Sequence, residues 1–176
     1  MNFISISNFK TPVGDLILGE FQEQICLCDW RFRKMRNAID KRIQQGLNSK
    51  YQASETPLIV NLKNQLSEYF ENEREVFDIP ILLIGTDFQK AVWQELLKIP
   101  FGETRSYLSL SQQLGNEKAI RAVASANGAN AISILVPCHR IIGSNNELTG
   151  YAGGLNAKKN LLKLEGINLN SQLELF

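Results

Sequence analysis

Cys138 and His139 are adjacent in the chain, and His139 is the only histidine among the 176 residues. A cysteine is a strong nucleophile as the thiolate, which forms when a proton acceptor, a positive charge or hydrogen-bond donors lie nearby. The pair could therefore attack an electrophilic carbon while the imidazole takes the thiol proton. Neighbouring side chains can also point to opposite sides of the backbone, so His139 could equally be a core or surface imidazole.

The preceding residues predict how the chain presents this pair. Residues 132–136 form an apolar run, and Pro137 follows it. Proline lacks an amide donor and fixes its own φ angle, so it ends strands. We therefore predict a short buried strand over residues 132–136 that places Cys138 at its end.

Residues 86–127 predict three helices upstream of the pair. Thr86 has the capping-box spacing that starts a helix, and Pro100 ends that helix. A second helix is expected over residues 106–114 and a third over residues 117–127, with a glycine turn between them. Two short helices around such a turn are typical of a helix-turn-helix.

The third helix has two different faces. The inward face is predicted to carry Ile120, Val123 and Asn127. The opposite face starts basic and continues with small side chains, namely Lys118, Arg121, Ala122 and Ser125. Small side chains let a partner approach the helix backbone closely while one long cation projects. An ordinary alanine-rich solvated helix has the same composition, so both interpretations stay open.

The first 84 residues predict a small antiparallel sheet followed by helices. Strands are expected over residues 3–6, 16–21 and 24–28, with a turn at residues 11–14. A surface helix is expected over residues 31–45, ending at Gly46, and its charge run is assigned to a solvated face: Arg31, Arg33, Lys34 and Arg36.

A second helix of this part follows a predicted polar loop over residues 50–55. Thr56 is a suitable N-cap, and Pro57 suits the first helical turn. The apolar residues that recur every four positions predict a core face: Leu58, Leu62, Leu66 and Phe70. Residues 76–84 are expected to be an extended linker, with a domain boundary near Gly85.

Composition fits one ordinary domain or two small ones, with 44% hydrophobic residues for a core. No apolar stretch has the length of a membrane helix, and the amino end lacks a signal-peptide pattern, so we expect a cytoplasmic protein. The net charge is +1: residues 1–85 carry 10 Lys/Arg and 11 Asp/Glu, and residues 86–176 carry 9 and 7. This balance alone does not indicate a nucleic-acid partner.

Three cysteines argue against a disulfide framework and for a reducing compartment. Cys26 and Cys28 are two residues apart and are predicted to share a strand face. A zinc site needs about four ligands, and no further cysteine pair or spare histidine completes one. We therefore expect packing cysteines and no metal.

Residues 127–166 read NGANAISILVPCHRIIGSNNELTGYAGGLNAKKNLLKLEG. This segment resembles the active-site segment of the O6-alkylguanine-DNA alkyltransferases, bacterial type. The resemblance extends upstream through the sequence GTDFQ at residues 85–89, Tyr107, RAV at residues 121–123 and TPVG at residues 11–14. It implies an α+β chain with an amino-terminal ribonuclease-H-like structural domain at 1–84. Residues 85–176 would form a mainly helical DNA-binding and alkyl-acceptor domain with the helix-turn-helix.

The resemblance also implies a reaction and its residues. Cys138 would take the alkyl group from O6-alkylguanine, and from O4-alkylthymine, in a single irreversible turnover without a cofactor. His139 would accept the thiol proton through a bound water, Glu165 would orient the imidazole, and Asn130 would tie the recognition helix to the cysteine loop. The partner would be double-stranded DNA, bound by a monomer.

The remaining implied residues contact the DNA or the extruded base. Tyr107 would donate to a ring nitrogen of the leaving guanine, and Arg121 would fill the gap left by the flipped nucleotide, with Ala122 and Ser125 beside it on the helix in the minor groove. The wall of the base pocket would be Tyr151, Ala152 and Gly153. Animal members often carry a serine at the position of Ala152, so that side-chain donor is absent here.

Two other functions remain open at this point. An alkyltransferase-like lesion sensor would flip the base and recruit other factors without needing the Cys138 thiol. A cysteine hydrolase would use Cys138 and His139 with many turnovers, although no other feature of the sequence supports it.

Overall fold

A computed structural model describes residues 2–169 of the chain; residues 170–176 of the expected second domain lie outside the described range. The fold is α+β, as expected. A four-stranded mixed sheet has the order β3-β2-β1-β4, formed by β1 (Phe3–Thr11), β2 (Gly14–Phe21), β3 (Gln24–Trp30) and β4 (Lys50–Ala53).

The first three strands are antiparallel. Strands β2 and β3 match their predicted ranges to within two residues, whereas β1 continues five residues beyond its predicted end at residue 6. The turn between β1 and β2 is fixed by the Thr11 hydroxyl, which donates to the Gly14 carbonyl at 2.6 Å. The polar loop predicted over residues 50–55 is wrong, because residues 50–53 pair in parallel with the open edge of β1. A polar segment can form a strand when a partner edge supplies its hydrogen bonds.

Two helices pack on this sheet. Helix α1 (Arg36–Gly46) starts five residues later than expected. The Arg31 amide still pairs with the Asp15 carbonyl of β2 at 2.9 Å, and the chain then turns, with the Arg36 amide donating to the Arg33 carbonyl at 3.2 Å. Helix α2 (Pro57–Phe70) starts as predicted, since Thr56 Oγ1 accepts from the Ile59 amide at 3.2 Å.

The second half of the chain is mainly helical. Its helices are α3 (Asp87–Leu96), α4 (Tyr107–Gln113), α5 (Ile120–Gly128) and α6 (Leu155–Leu164), and a short parallel pair joins β5 (Arg105–Ser106) to β6 (Ile141–Ile142). Thr86 forms the predicted capping box at α3. Gly115, with φ +77°, makes the turn after α4, so α4 and α5 form the predicted helix-turn-helix.

Strand β3 connects the two halves of the chain. Its Ile25 amide donates to the Pro80 carbonyl at 2.8 Å, so the expected linker pairs with the sheet. Further along, the Cys28 amide donates to the Ala131 carbonyl at 2.9 Å, and the Ser133 amide donates to the Cys28 carbonyl at 2.7 Å. One hydrophobic cluster accordingly contains residues from both sides of Gly85.

The predicted strand over residues 132–136 is wrong, although the segment is buried. Ile134 has φ +72°, a conformation that β-branched residues rarely adopt, and the Val136 amide donates back to the Ile132 carbonyl at 2.9 Å. The segment is therefore a buried turn with a single bridge to β3. Cys28 contributes both of the backbone hydrogen bonds that anchor this turn.

Two smaller expectations also differ from the structure. Ile120, expected on the inward face of α5, is 38% exposed, and Ala126 is buried beside Val123 in its place. Cys26 and Cys28 do not share one packing environment, because the β2–β3 register shifts at Cys26 and the two thiols enter different clusters. Within residues 2–169, no helix combines the length and apolar character needed to cross a membrane.

Candidate active site

Cys138 opens a buried 3₁₀ turn over Cys138–Arg140 and is 3% exposed. Its amide donates to the Val136 carbonyl at 2.8 Å. Burial raises the pKa of the Cys138 thiol, while the Asn130 amide and the nearby Lys158 ammonium pull it down. The resting site thus favours the thiol and has two groups in place that stabilise a thiolate.

Asn130 lies two residues after α5 and holds the cysteine loop from inside. Its Nδ2 donates to the Val136 carbonyl at 2.9 Å, and its Oδ1 accepts from the Ile132 amide at 2.9 Å. Asn127, in the last turn of α5, is also directed at the loop, with Nδ2 at 3.5 Å from the Cys138 carbonyl. The end of α5 and the Cys138 loop are thereby linked by two amide side chains.

His139 is fully buried and pairs with Glu165. Its Nε2 lies 2.7 Å from Glu165 Oε1, and its Nδ1 has no hydrogen-bond partner within residues 2–169. Burial lowers the pKa of His139, although the Glu165 carboxylate counteracts this. The neutral imidazole therefore carries its proton on Nε2, which leaves the Nδ1 lone pair as an acceptor.

The Glu165 carboxylate accepts five hydrogen bonds. Besides His139, the donors are Tyr69 Oη at 2.8 Å, Arg140 Nε and Nη2 at 2.9 Å each, and the Gly102 amide at 3.3 Å. Burial alone would raise the pKa of this carboxyl group, but the His139 and Arg140 hydrogen bonds outweigh it and lower the pKa to about 2. Glu165 is consequently a carboxylate that orients its partners.

Lys158 enters the site from α6. It is fully buried, and its ammonium donates to the carbonyls of Ile141, Thr149 at 3.0 Å and Gly150 at 3.3 Å. Burial lowers the pKa of Lys158 to about 8. This lysine fastens the segment before Tyr151 and brings a positive charge close to Cys138.

The residues expected to line the base pocket, Tyr151, Ala152 and Gly153, directly follow that segment, and Tyr107 contacts it from α4. Tyr107, at the start of α4, donates from Oη to the Thr149 carbonyl at 3.2 Å. Tyr151 packs edge-on against Trp30 with ring centroids 5.8 Å apart, and Ala152 is half-buried. A Cβ at Gly153 would lie 2.6 Å from the Trp30 ring, so this close approach requires glycine.

The outward face of α5 is as expected: Arg121, Ala122 and Ser125 are all exposed. Val123 and Ala126 are buried on the opposite side. Trp93 of α3 donates from Nε1 to the Ala126 carbonyl at 2.8 Å and fixes the inner side of α5. The small outward residues of α5 therefore lie opposite the side of the helix that packs on α3 and is hydrogen-bonded to Trp93.

Arginines from the first half bind the carboxyl end of α5. Arg33 donates to the carbonyls of Gly128 at 2.6 Å and Asn130 at 3.2 Å, and Arg42 donates to the Ala129 carbonyl at 2.9 Å. Arg33 and Arg36 also pair with the fully buried Asp29. The solvated face expected for this charge run is therefore wrong for Arg33 and Arg36, while Arg31 and Lys34 are exposed.

Sequence reasoning missed five residues around the site: Trp30, Arg33, Tyr69, Arg140 and Lys158. Lys158 had a detectable signal, because it shares the helix face of the apolar Leu161 and Leu162, where a lysine is unusual. Arg140 lies directly after the Cys-His pair. Tyr69 lies 96 residues from Glu165, and Arg33 lies 95 residues from Gly128, so no local pattern encodes these two contacts.

Comparisons with known proteins agree with this geometry. Residues 87–167 match a family model described as 6-O-methylguanine DNA methyltransferase, DNA binding domain. The chain is 42% identical over 170 residues to the constitutive methylated-DNA–protein-cysteine methyltransferase of Bacillus subtilis, covering 96% of this chain and 98% of that one. A Methanosarcina barkeri protein of the same name is 52% identical over 160 residues, covering 91% and 96%.

A solved structure extends the similarity to the whole fold. The crystal structure of Mycobacterium tuberculosis OGT in complex with DNA superposes with a TM-score of 0.78 at 37% sequence identity, covering 92% of each chain. Both the sheet half and the helical half of the chain are therefore shared with that protein.

Proposed function

Because the chain belongs to the methylated-DNA–protein-cysteine methyltransferase family, we infer that it repairs alkylated DNA by moving the alkyl group from guanine O6 onto Cys138. The observation that carries this inference is that His139, which directly follows the buried Cys138, is paired with Glu165. Glu165 holds the imidazole by Nε2, so that Nδ1 is the nitrogen left to take a proton. This is the base-and-orienter arrangement of activated nucleophiles.

The transfer is a direct displacement, and it needs no cofactor because no atom is oxidised or reduced. The Cys138 thiol gives its proton to His139, by way of a water molecule, as sulfur attacks the alkyl carbon. A sulfur–carbon bond forms, the bond from carbon to O6 breaks, and the electron pair stays on the guanine. The thiol proton finally resides on the released base. Water does not readily cleave the resulting thioether, so each molecule acts once.

Three groups stabilise charge during this step. Burial raises the pKa of the Cys138 thiol, and Asn130 and Lys158 oppose this effect by stabilising the thiolate. Tyr107 lies at the start of α4, and its hydroxyl donates to the Thr149 carbonyl in this structure. When the base enters the pocket, the hydroxyl turns its single proton from Thr149 to a ring nitrogen of the leaving guanine. Donors placed where negative charge develops lower the barrier most in a buried site.

The helix-turn-helix brings DNA to the cysteine. The exposed, small-residue face of α5 enters the minor groove, and Arg121 occupies the space left by the extruded nucleotide. Extrusion is required because the alkyl carbon is not accessible to a protein nucleophile inside the base stack. The base then lies against Tyr151, Ala152 and Gly153, and O4-alkylthymine fits the same displacement.

The proposal extends to domain organisation and compartment. Residues 1–84 form the structural domain, and residues 85–176 form the DNA-binding and alkyl-acceptor domain. The protein acts as a monomer in the cytoplasm, where a reducing environment keeps Cys138 as a thiol.

The deciding experiment is mass spectrometry after mixing the protein with a duplex that contains one O6-methylguanine. We expect one methyl group per protein, located on the peptide with Cys138, and no methyl group in the variant Cys138→Ser. Tight lesion binding without a mass change would instead identify a lesion sensor. Repeated ester or peptide turnover would identify a cysteine hydrolase.

A further inference from the structure

Tyr69 reaches the active-site carboxylate from the opposite half of the chain. It lies in the last turns of α2 and is fully buried, and its hydroxyl donates to Glu165 Oε1 at 2.8 Å. The same oxygen atom lies 2.7 Å from His139 Nε2. A phenol and an imidazole therefore share one carboxylate oxygen, which also accepts from Arg140 Nη2 at 2.9 Å.

Packing holds the Tyr69 ring in place without using its hydroxyl. The ring is surrounded by Phe70, Phe77 and Phe101 at centroid distances of 5.3, 5.6 and 6.2 Å. A phenylalanine would fill the same space. The hydroxyl is thus the part of Tyr69 that packing does not account for, and Glu165 is the partner to which it donates.

The hydrogen bond from Tyr69 changes how strongly the Glu165 carboxylate stabilises a protonated His139. Each donor draws negative charge from the carboxylate, so the bond from Tyr69 weakens the attraction that Glu165 exerts on an imidazolium. Burial and the adjacent carboxylate raise the pKa of Tyr69 well above its usual range. The phenol therefore stays protonated and acts as a constant donor.

We propose that Tyr69 is a positioning residue for alkyl transfer, which acts through Glu165 to keep His139 a neutral base with its proton on Nε2. The proposal rests on the role of His139 inferred above. Because Tyr69 lies on α2, the amino-terminal half would then influence the chemistry in addition to its structural role. Arg140 also binds Glu165 and lowers the proton affinity of the carboxylate. Its Nη2 donates to Oε1, so this oxygen accepts from Tyr69, His139 and Arg140 together.

The variant Tyr69→Phe removes the hydroxyl and keeps the ring. Glu165 retains its hydrogen bonds from Arg140, Gly102 and His139. With one donor fewer, its negative charge attracts the protonated imidazole more strongly. His139 should then become protonated at a higher pH, by about one pH unit for the loss of one hydrogen bond to a charged group. The acidic limb of the methyl-transfer rate should move upward by the same amount.

The chain permits a direct measurement of this shift. Because His139 is the only histidine, ¹⁵N-histidine labelling gives one imidazole spectrum that reports tautomer and protonation against pH. Single-turnover methyl transfer from an O6-methylguanine duplex is measured over the same pH range. Tyr51→Phe is the matched control, since Tyr51 donates to Asp40 at 2.9 Å and lies outside the site.

A second variant keeps the test informative if Tyr69→Phe folds poorly. Site-specific 3-fluorotyrosine at position 69 is a stronger donor of nearly the same shape, and it should lower the pH at which His139 is protonated. Unchanged His139 titration and unchanged rate profile in both variants would overturn the proposal and leave Tyr69 as packing alone. Absence of a methyl group on Cys138 of the unsubstituted protein would instead refute the proposed function, whatever the histidine spectrum shows.

Discussion

Arg33 Nη2 donates to the Gly128 carbonyl at 2.6 Å, which joins the segment after β3 to the carboxyl end of α5. Helix α5 has no basic residue in its own last turn. A helix carboxyl end carries partial negative charge and carbonyls without helical partners. The cations that satisfy this end of α5 therefore come from the first half of the chain.

This relationship predicts a large effect of Arg33→Ala on stability. The side chains of Arg33 and Asp29 are 5% and 0% exposed, so the substitution leaves a buried carboxylate with less compensation. We expect the free energy of unfolding to fall by about 3 kcal/mol, measured by urea denaturation. Arg74→Ala is the control, because the Arg74–Glu68 pair is 27% and 40% exposed and should contribute less than about 1 kcal/mol. Equal effects of the two substitutions would contradict the prediction.

Lys158→Met should slow alkyl transfer more than it weakens DNA binding. The substitution removes the hydrogen bonds from Lys158 to the carbonyls of Ile141, Thr149 and Gly150. It also removes the positive charge that favours the Cys138 thiolate. We expect the single-turnover rate to fall by about tenfold or more, since each 1.4 kcal/mol of lost stabilisation costs a factor of ten. Lys163→Met, at an exposed position of the same helix, should leave the rate unchanged. A rate loss matched by an equal affinity loss would show that Lys158 acts on DNA binding.

Gly153→Ala should displace the wall of the base pocket. The added Cβ would lie 2.6 Å from the Trp30 ring, and that ring is 96% buried within the core and has little room to move. We expect a loss of about 1–3 kcal/mol in thermal or denaturant unfolding, as for other overpacked positions. Gly128→Ala has no atom within 4 Å of the new Cβ and should change stability little. Partial recovery in the double variant Gly153→Ala with Trp30→Phe would confirm the clash as the cause.

Acid should destabilise the protein through Glu165 and His139 together. The folded pKa of Glu165 is about 2 against 4.5 for the ordinary carboxyl group, so the unfolded chain binds a proton first as the pH falls. Stability from this group is complete above pH 4.5 and is lost toward pH 2, by about 3 kcal/mol in total. Burial also lowers the pKa of His139, so its contribution is lost as the pH falls below about 6.5.

Urea denaturation at a series of pH values from 7 to 3 measures this loss. Glu165→Gln should be less stable at pH 7 and should show a shallower slope below pH 4.5, because its side chain does not titrate. An unchanged slope in Glu165→Gln would assign the acid sensitivity to other carboxylates.

Local interactions allowed the sequence to predict many elements. The caps at Thr56 and Thr86 and the turns at residues 11–14 and at Gly115 depend on neighbours within about three residues, and all lie where predicted. The resemblance to a known family also placed Cys138, His139 and Glu165 in one hypothesis, and the structure brings His139 and Glu165 to 2.7 Å from each other.

Other features depend on contacts between distant parts of the chain, so only the tertiary structure decides them. Residues 50–53 become a strand because β1 offers an edge, and residues 132–136 become a turn because β3 binds them at Cys28. The roles of Tyr69 and Arg33 follow from hydrogen bonds across about 96 residues. The sequence by itself predicted Cys138 as the nucleophile and His139 as its base, because the motifs around them resemble those of a known family. It predicted the two helices of the helix-turn-helix from local spacing. The fold alone decided how many donors share Glu165 and which cations hold the end of α5, because burial brings those groups together from both halves of the chain.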